Sequence, residues 1–313
     1  MKPMRAIFAG TPEAAVPTLE HMHASGIEVA LVLTQPDARG RRGSSLVPSP
    51  VKTKAMDLGL PVFQPTRASS EDAVAAIAAV EADVAAVVAY GQILSVEALA
   101  AVRTHWINMH FSLLPRWRGA APVQQGILAG DDQSGITTFV IEEGLDTGPI
   151  IESHAYAIGE RDTAGDVLST LAHRGAPMMV SSLRSVHHGS AVLTPQDSTG
   201  VTYAPKLTRE DAYIQWDAPA HTVDRQVRAC TPAPGAWTTL PDGTTAKIGP
   251  VLPEDASASA PGTIHSAGKQ IFVSCGTGQV QLTTIAPAGK KPMPADAWWR
   301  GARVHEGAQL GET

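Results

Sequence analysis

Asn108 and His110 stand two positions apart in residues 107–119, which read INMHFSLLPRWRG. Side chains alternate along a strand, so an Asn and a His at this spacing project to one face. They close an apolar run, 106–110, just before a loop that carries Pro115. Open α/β sheets bind ligands at such strand ends. An amide donor beside an imidazole suits an oxyanion that develops on a carbonyl under attack. Residues 142–149, EEGLDTGP, form an acidic loop with flanking glycines after the apolar run 136–141. Asp146 in that loop is placed to orient His110 and raise its pKa, or to take up a proton through water. Asn, His and Asp together describe transfer of an acyl-like group to an amine without a covalent enzyme intermediate. The same residues have plainer uses: strand-end polar groups cap loops, an Asp among glycines makes turns, and Ser112 suits a helix cap. Composition and spacing leave both readings open.

The elements that must position these residues alternate in type. Short apolar runs at 6–9, 29–33, 61–63, 83–89 and 106–110 are separated by segments with helical periodicity at 12–23, 48–58 and 70–79. Ser69 or Ser70 offers an N-cap ahead of Glu71 and Asp72. Continuous apolar strands between helices mark a sheet buried on both faces. The expected fold is a Rossmann-like, doubly wound, mostly parallel sheet, closed by a long helix over 163–186. A polar stretch, 194–200, reads as linker. From Lys206 onward short β-like runs at 237–240, 246–248, 270–273 and 280–282 are split by Pro-Asp-Gly, Ala-Pro-Gly and Gly-Thr-Gly turns. That texture predicts a small barrel. The expected limits are 1–189 for the catalytic domain, 190–205 for the linker and 206–313 for the second domain.

The usual cofactor signals are missing. The first strand runs into Ala9-Gly10-Thr11-Pro12 rather than GxGxxG, and no phosphate loop, nucleophile elbow or HExxH occurs. Cys230 and Cys275 are the only cysteines and form no CxxC, so neither a zinc site nor a disulfide framework is expected. Apolar residues make up 43% of the 313 and charged residues 17%, which excludes disorder as the main state. The apolar run 6–9 is too short for a signal peptide and no run approaches the roughly 18 residues of a membrane span. A soluble, cytoplasmic protein with no membrane association is expected.

Residues 108–115, NMHFSLLP, resemble the NxHxSLLP motif of the 10-formyltetrahydrofolate-dependent formyltransferases. Residues 116–122 (RWRGAAP) and 143–149 (EGLDTGP) resemble two further segments of that family. The likeness extends to 8–12, 34–37, 48–52, 89–91 and 287–291, nearly the whole chain. It implies that Asn108 and His110 polarise the formyl oxygen and that Asp146 tunes His110 and handles the amine proton. Ser112, Leu113, Leu114 and Pro115, with Val88, Tyr90, Gly91, Ile93 and Leu94, would hold the co-substrate 10-formyltetrahydrofolate. No metal is implied. The second domain would be an OB-like β-barrel contacting tRNA, and the full-length match favours charged initiator methionyl-tRNA as the acceptor, bound by a monomer. A sugar-nucleotide amine, glycinamide ribonucleotide, or water (releasing formate) are acceptors served by the same motif. An RNA-binding module with a vestigial α/β domain would have lost the Asn108, His110 and Asp146 set, which is intact. Two departures stand out: Phe111 occupies a position where the family commonly has a small residue, and Ser44 and Ser45 positions where it commonly has Lys.

The formal net charge of −6 argues against a generic nucleic-acid coat, but its distribution is uneven. Residues 37–54 hold Arg39, Arg41, Arg42, Lys52 and Lys54 against Asp37 alone, a local +4. Lys290, Lys291, Arg300 and Arg303 outweigh Asp296 near the end, beside Trp298 and Trp299. Charge runs usually face water; with the resemblance they become an RNA footprint, with Arg39, Arg41, Arg42, Lys206, Lys290 and Lys291 as its residues. Affinity for tRNA should then fall steeply between about 50 and 200 mM salt, as counterion release requires. A flat dependence in a filter-binding titration would overturn the footprint.

Overall fold

The apolar runs of the N-terminal half assemble into one seven-stranded sheet. Its strands are β1 (Arg5–Gly10), β2 (Glu28–Leu33), β3 (Val62–Phe63), β4 (Val84–Val88), β5 (Trp106–His110), β6 (Gln133–Val140) and β7 (Ile150–Ala157). Their order across the sheet is β7-β6-β5-β4-β1-β2-β3. The computed structural model describes residues 3–39, 45–255, 259–302 and 304–311. The five strands from β3 to β5 are parallel, while β6 runs antiparallel to β5 and β7 antiparallel to β6. The expected mostly parallel sheet is therefore present, with a reversed edge that the apolar runs alone did not announce.

Helices bridge the parallel strands: α1 (Val16–Ala24), α2 (Pro50–Asp57), α3 (Glu71–Val80) and α4 (Val96–Ala100). Three of these start where a serine side chain accepts an otherwise orphaned backbone N–H. Ser49 caps α2 through Lys52, Ser70 caps α3 through Ala73, and Ser95 caps α4 through Ala98. The order of the strands reverses between β1 and β4, so a crevice opens past their carboxyl ends. The Thr11 hydroxyl crosses it and donates to the Tyr90 carbonyl at 2.8 Å. Ile7, Leu33, Ile77 and Trp106 are fully or almost fully buried on one side of the sheet. Each such side chain contributes about 1.5–3 kcal/mol of transfer free energy.

Helix α5 (Pro122–Ala129) precedes β6, and the long helix expected over 163–186 is α6 (Ala164–His187). A reciprocal box starts α6: Asp166 accepts from the Thr163 N–H and hydroxyl, and Thr163 Oγ1 accepts from the Asp166 N–H. These bonds hold the Asp166 carboxyl below its usual range.

The chain divides into two units, 1–122 with 133–157 and 168–204, and 123–132 with 158–167 and 205–313. In the second unit, Trp237–Thr239, Thr245–Ile248, Thr284–Pro287 and Met293–Pro294 form one four-stranded antiparallel sheet. Val251–Glu254, Gln279–Leu282, Gln270–Ser274 and Ile264–Ala267 form another. Both face one core that includes Val223, Ile248, Ile271, Val280 and Trp298. Cys230 and Cys275 are free thiols inside this unit, pushed by burial up to about 11 and about 12 respectively, and so are unreactive at neutral pH.

One packing contact bears directly on Asn108 and His110. Met109, between them, points to the opposite face of β5 and is 2% exposed. Gly175 of α6 lies so close that an added Cβ would overlap the Met109 sulfur. Overpacking at a buried crossing costs about 1–3 kcal/mol. Gly175→Ala should lower stability by that amount in urea unfolding; an unchanged midpoint would mean that the crossing is loosely packed.

Candidate active site

Strand β5 delivers Asn108 and His110 to the same face, as their spacing requires. Its antiparallel partner β6 sets Thr137 opposite His110 and Phe139 opposite Asn108. Thr137 is fully buried, donates to the Ser112 carbonyl at 2.7 Å and accepts from the Leu114 N–H at 3.2 Å. The Ser112 hydroxyl donates to the Arg116 carbonyl at 2.6 Å. The chain after β5 is thereby folded back on itself, and residue 117 returns to His110.

The His110 ring is 5% exposed, and its Nε2 lies 2.8 Å from the Trp117 carbonyl oxygen. A carbonyl only accepts, so Nε2 carries a proton and Nδ1 holds the lone pair of the neutral ring. Nδ1 faces Asp146 Oδ2 at 3.7 Å, too far for a direct hydrogen bond. Asp146 Oδ2 in turn accepts the Gly119 N–H at 2.7 Å. The Asn108 amide is only partly buried and makes no hydrogen bond among the described residues. It is a donor still available to a ligand.

Backbone strain collects at this site. Among the described residues, Glu81, Ala89, Trp117 and Asp146 are the non-glycine positions with positive φ. Glu81 is the ordinary left-handed cap of α3. The other three lie in the loops after β4, β5 and β6. Such conformations cost of order 1–3 kcal/mol each and persist only where neighbours enforce them. Gly119, at φ +123°, sits where a Cβ would press on the Ala204 carbonyl, so only glycine presents its N–H to Asp146 there.

The enforcing neighbours come from a segment with no chemical signature. Thr194 pairs with Ile150 at the start of β7. Gln196 Nε2 donates to the Asp146 and Gly148 carbonyls, both at 2.8 Å, while its Oε1 accepts from Arg118. Thr202 Oγ1 accepts the Trp117 N–H at 2.8 Å, and Tyr203–Ala204 pairs with Arg118–Gly119. Sequence reading classed these positions as linker, because a polar stretch without periodicity gives no sign of its long-range partners. Thr137 also gave no sign of its role, although the two adjacent threonines in the otherwise apolar run 136–141 are a usable clue.

The structure spreads the expected folate residues over different environments. Gly91 and Ile93 are exposed, Ile93 at 90%, and Leu94 is half-buried. Val88 and Tyr90 turn their side chains into the core; Tyr90 meets the crevice only through its carbonyl, which also accepts from Gln35. Ser112 and Leu114 are buried, while Leu113 and Pro115 are half-buried. Phe111 is 6% exposed, a buried side chain directly after His110. Leu145, next to Asp146, is 60% exposed.

Arg39, Lys206, Lys290 and Lys291 are exposed and form no ion pair among the described residues; Arg41, Arg42 and Ser44 lie outside those residues. Lys52 and Lys54, counted in the basic stretch, are each paired: Lys52 with Asp37 at 2.7 Å and Lys54 with Glu20 at 2.7 Å. Trp298 belongs to the core, at 6% exposed, with Trp299 packed against it. Among the described residues no group of three His, Cys, Asp or Glu side chains could hold a metal, and no helix is long and apolar enough to cross a membrane.

Residues 4–183 match the family described as formyl transferase, and residues 206–303 match its C-terminal domain. The chain belongs to the formyl transferase family. A methionyl-tRNA formyltransferase of Thermobifida fusca (strain YX) is 48% identical over 99% of this chain and 100% of that one. Another, from Mycobacterium sp. (strain KMS), is 49% identical over 96% of this chain and 98% of its own. The structure of an N-formyltransferase from Helicobacter canadensis, in complex with folinic acid and dTDP-3-aminofucose, superposes with a TM-score of 0.62 at 16% identity. It covers 91% of this chain and 99% of that chain, a likeness of fold alone. The oxyanion role expected of both Asn108 and His110 fits only the Asn108 amide here: the single N–H of neutral His110 is engaged by the Trp117 carbonyl, and its bare Nδ1 can accept a proton but not donate one.

Asp146 does pull the His110 pKa upward, as expected, but its pull is not the largest influence on the ring. Burial pushes the imidazole below its ordinary value of 6.5, and it outweighs the opposing pull of Asp146 and of the Trp117 carbonyl. The ring is therefore neutral at pH 7. The unfolded chain binds the extra proton first as pH falls through 6.5, so stability drops in the window below that value. An NMR titration should place His110 below 6.5, and lower still in Asp146→Asn, where the favourable charge is gone. An imidazole titrating above 6.5 would contradict the burial argument.

Proposed function

We propose that this formyl transferase moves the formyl group of 10-formyltetrahydrofolate to the α-amino group of charged initiator methionyl-tRNA, giving N-formylmethionyl-tRNA for translation initiation. The observation that carries the reading is an unengaged Asn108 amide beside a neutral His110 whose Nδ1 faces Asp146. The full-length likeness to enzymes named for that acceptor supports it.

The chemistry asks for positioning more than for reactive groups. An α-amino group has a pKa of about 7.7–8.0, and an adjacent ester lowers it, so neutral amine is present near pH 7. Its nitrogen attacks the formyl carbon, and the carbonyl electrons move onto oxygen. The Asn108 amide donates to that oxygen as charge develops. His110 Nδ1 accepts the proton released by the amine, directly or through water, and Asp146 steadies the resulting imidazolium. The proton then passes to the leaving nitrogen of tetrahydrofolate as the old C–N bond breaks. The exposed apolar side chains of Ile93 and Leu145 suit the flat ring system of the co-substrate. The remaining parts of the folate set act through backbone and shape.

On this reading residues 1–189 carry catalysis and residues 206–313 contact tRNA, with Arg39, Lys206, Lys290 and Lys291 on its phosphates. Arg41 and Arg42 extend the same footprint. The enzyme works as a cytoplasmic monomer.

The test is formyl transfer from 10-formyltetrahydrofolate to initiator methionyl-tRNA, compared with elongator methionyl-tRNA. Transfer to the initiator is expected, and transfer to neither sinks the proposal. Asn108→Ala and His110→Ala should each slow turnover by about 10²–10³, the range seen when an oxyanion donor or a positioned base is lost. Near-wild-type turnover in folded His110→Ala would remove that residue from the mechanism.

A further inference from the structure

We propose that Gln196 is a positioning residue that sets Asp146 against His110, an inference that rests on the catalytic reading above. Gln196 is half-buried, and both ends of its amide are engaged. Its NH₂ group donates to the carbonyls of Asp146 and Gly148, both at 2.8 Å. Its oxygen accepts from Arg118, from Nη2 at 2.7 Å and from Nε at 3.2 Å. One side chain thus joins the loop after β6 to the loop after β5.

These two loops hold opposite sides of the reacting pair. Asp146 belongs to the first, at φ +51°, a conformation it keeps only under external restraint. Gly119, whose N–H binds the Asp146 carboxylate, belongs to the second, and so does Trp117, whose carbonyl accepts from His110. A closed ring of contacts runs from Gln196 to Asp146, to Gly119, to Arg118 and back to Gln196. Thr202, six residues on, holds the Trp117 N–H. The separation of 3.7 Å between Nδ1 and the carboxylate is therefore a property of the segment after α6 as much as of the loops themselves.

The donor arm and the acceptor arm of Gln196 make different demands on a substituent. In Gln196→Glu the contact with Arg118 survives and becomes an ion pair. The side chain loses both N–H donors, and a carboxylate oxygen is left facing two carbonyls. Gln196→Met keeps the volume and loses both arms. A displacement near 1 Å in a positioned group costs up to about 10²-fold in rate. Both variants should lower kcat by about 10–100-fold while KM for methionyl-tRNA and for 10-formyltetrahydrofolate stays within about threefold, because no substrate contact has been removed. A role limited to holding the fold together would instead lower the unfolding midpoint, and kcat per folded molecule, with the folded fraction measured by circular dichroism, would be unchanged.

The assay uses the full chain, with Asp146→Asn run alongside. Wild-type kcat per folded molecule in both Gln196 variants, or a loss seen only in KM, overturns the proposal. An inactive Asp146→Asn beside fully active Gln196 variants defeats this inference and leaves the catalytic reading standing. A fully active Asp146→Asn removes the catalytic reading itself, and the inference with it.

Discussion

The hydrogen bond from His110 Nε2 to the Trp117 carbonyl is the constraint on which the site depends. It decides which ring nitrogen is protonated and therefore which one is left to exchange protons. A buried neutral imidazole has two tautomers close in energy; a single carbonyl acceptor, itself unable to donate, selects one. Placing that carbonyl requires the chain to turn back within seven residues of His110. The turn needs Trp117 in a left-handed conformation, the Ser112 and Thr137 hydroxyls within it, and Thr202 beyond it. Each is a local expense set against one choice of proton position.

The sheet supplies the rigidity for this arrangement, and its order explains where the loops meet. Five parallel strands bring the ends of β1, β4 and β5 to one edge, as their continuous apolar runs led us to expect. What the runs could not convey was the direction of β6 and β7. β6 is buried at seven of its eight positions, like the parallel strands, and β7 is an edge strand with no buried position, so neither pattern carries a mark of strand direction. Antiparallel pairing nonetheless sets Thr137 beside His110, a consequence of register that a single sequence does not display. Ser70, by contrast, was legible as a cap because its partner lies three residues away. Local chemistry could be read; long-range pairing could not.

The same division applies to charge. Counting residues 37–54 made that stretch strongly basic, yet Lys52 spends its charge on Asp37 and on the base of the loop, where Gln64 also binds Asp37 at 2.7 Å. These contacts hold the Asp37 carboxyl below its usual range. Lys54 meets Glu20 from a different helix. Asp37 already stands against the five cations in that count, so the one pairing it leaves out is that of Lys54, whose partner lies far away in sequence and close in space. Trp298 makes the parallel point for aromatic residues: it stands near Lys290 and Lys291 in order, but it is a core side chain.

The segment from Thr194 to Ala204 also bears on how such a chain could be recombined. Residues 4–183 and 206–303 match two separate family descriptions, and the end of helix α6 looks like the natural seam for an exchange. Here the seam falls later. Asn108, His110 and Asp146 would all survive a junction at His187, but the residues that brace their loops would be replaced with the incoming partner. A modular swap that preserves the geometry of catalysis has to carry its donor segment through Ala204, so the unit of inheritance is longer than the unit of secondary structure.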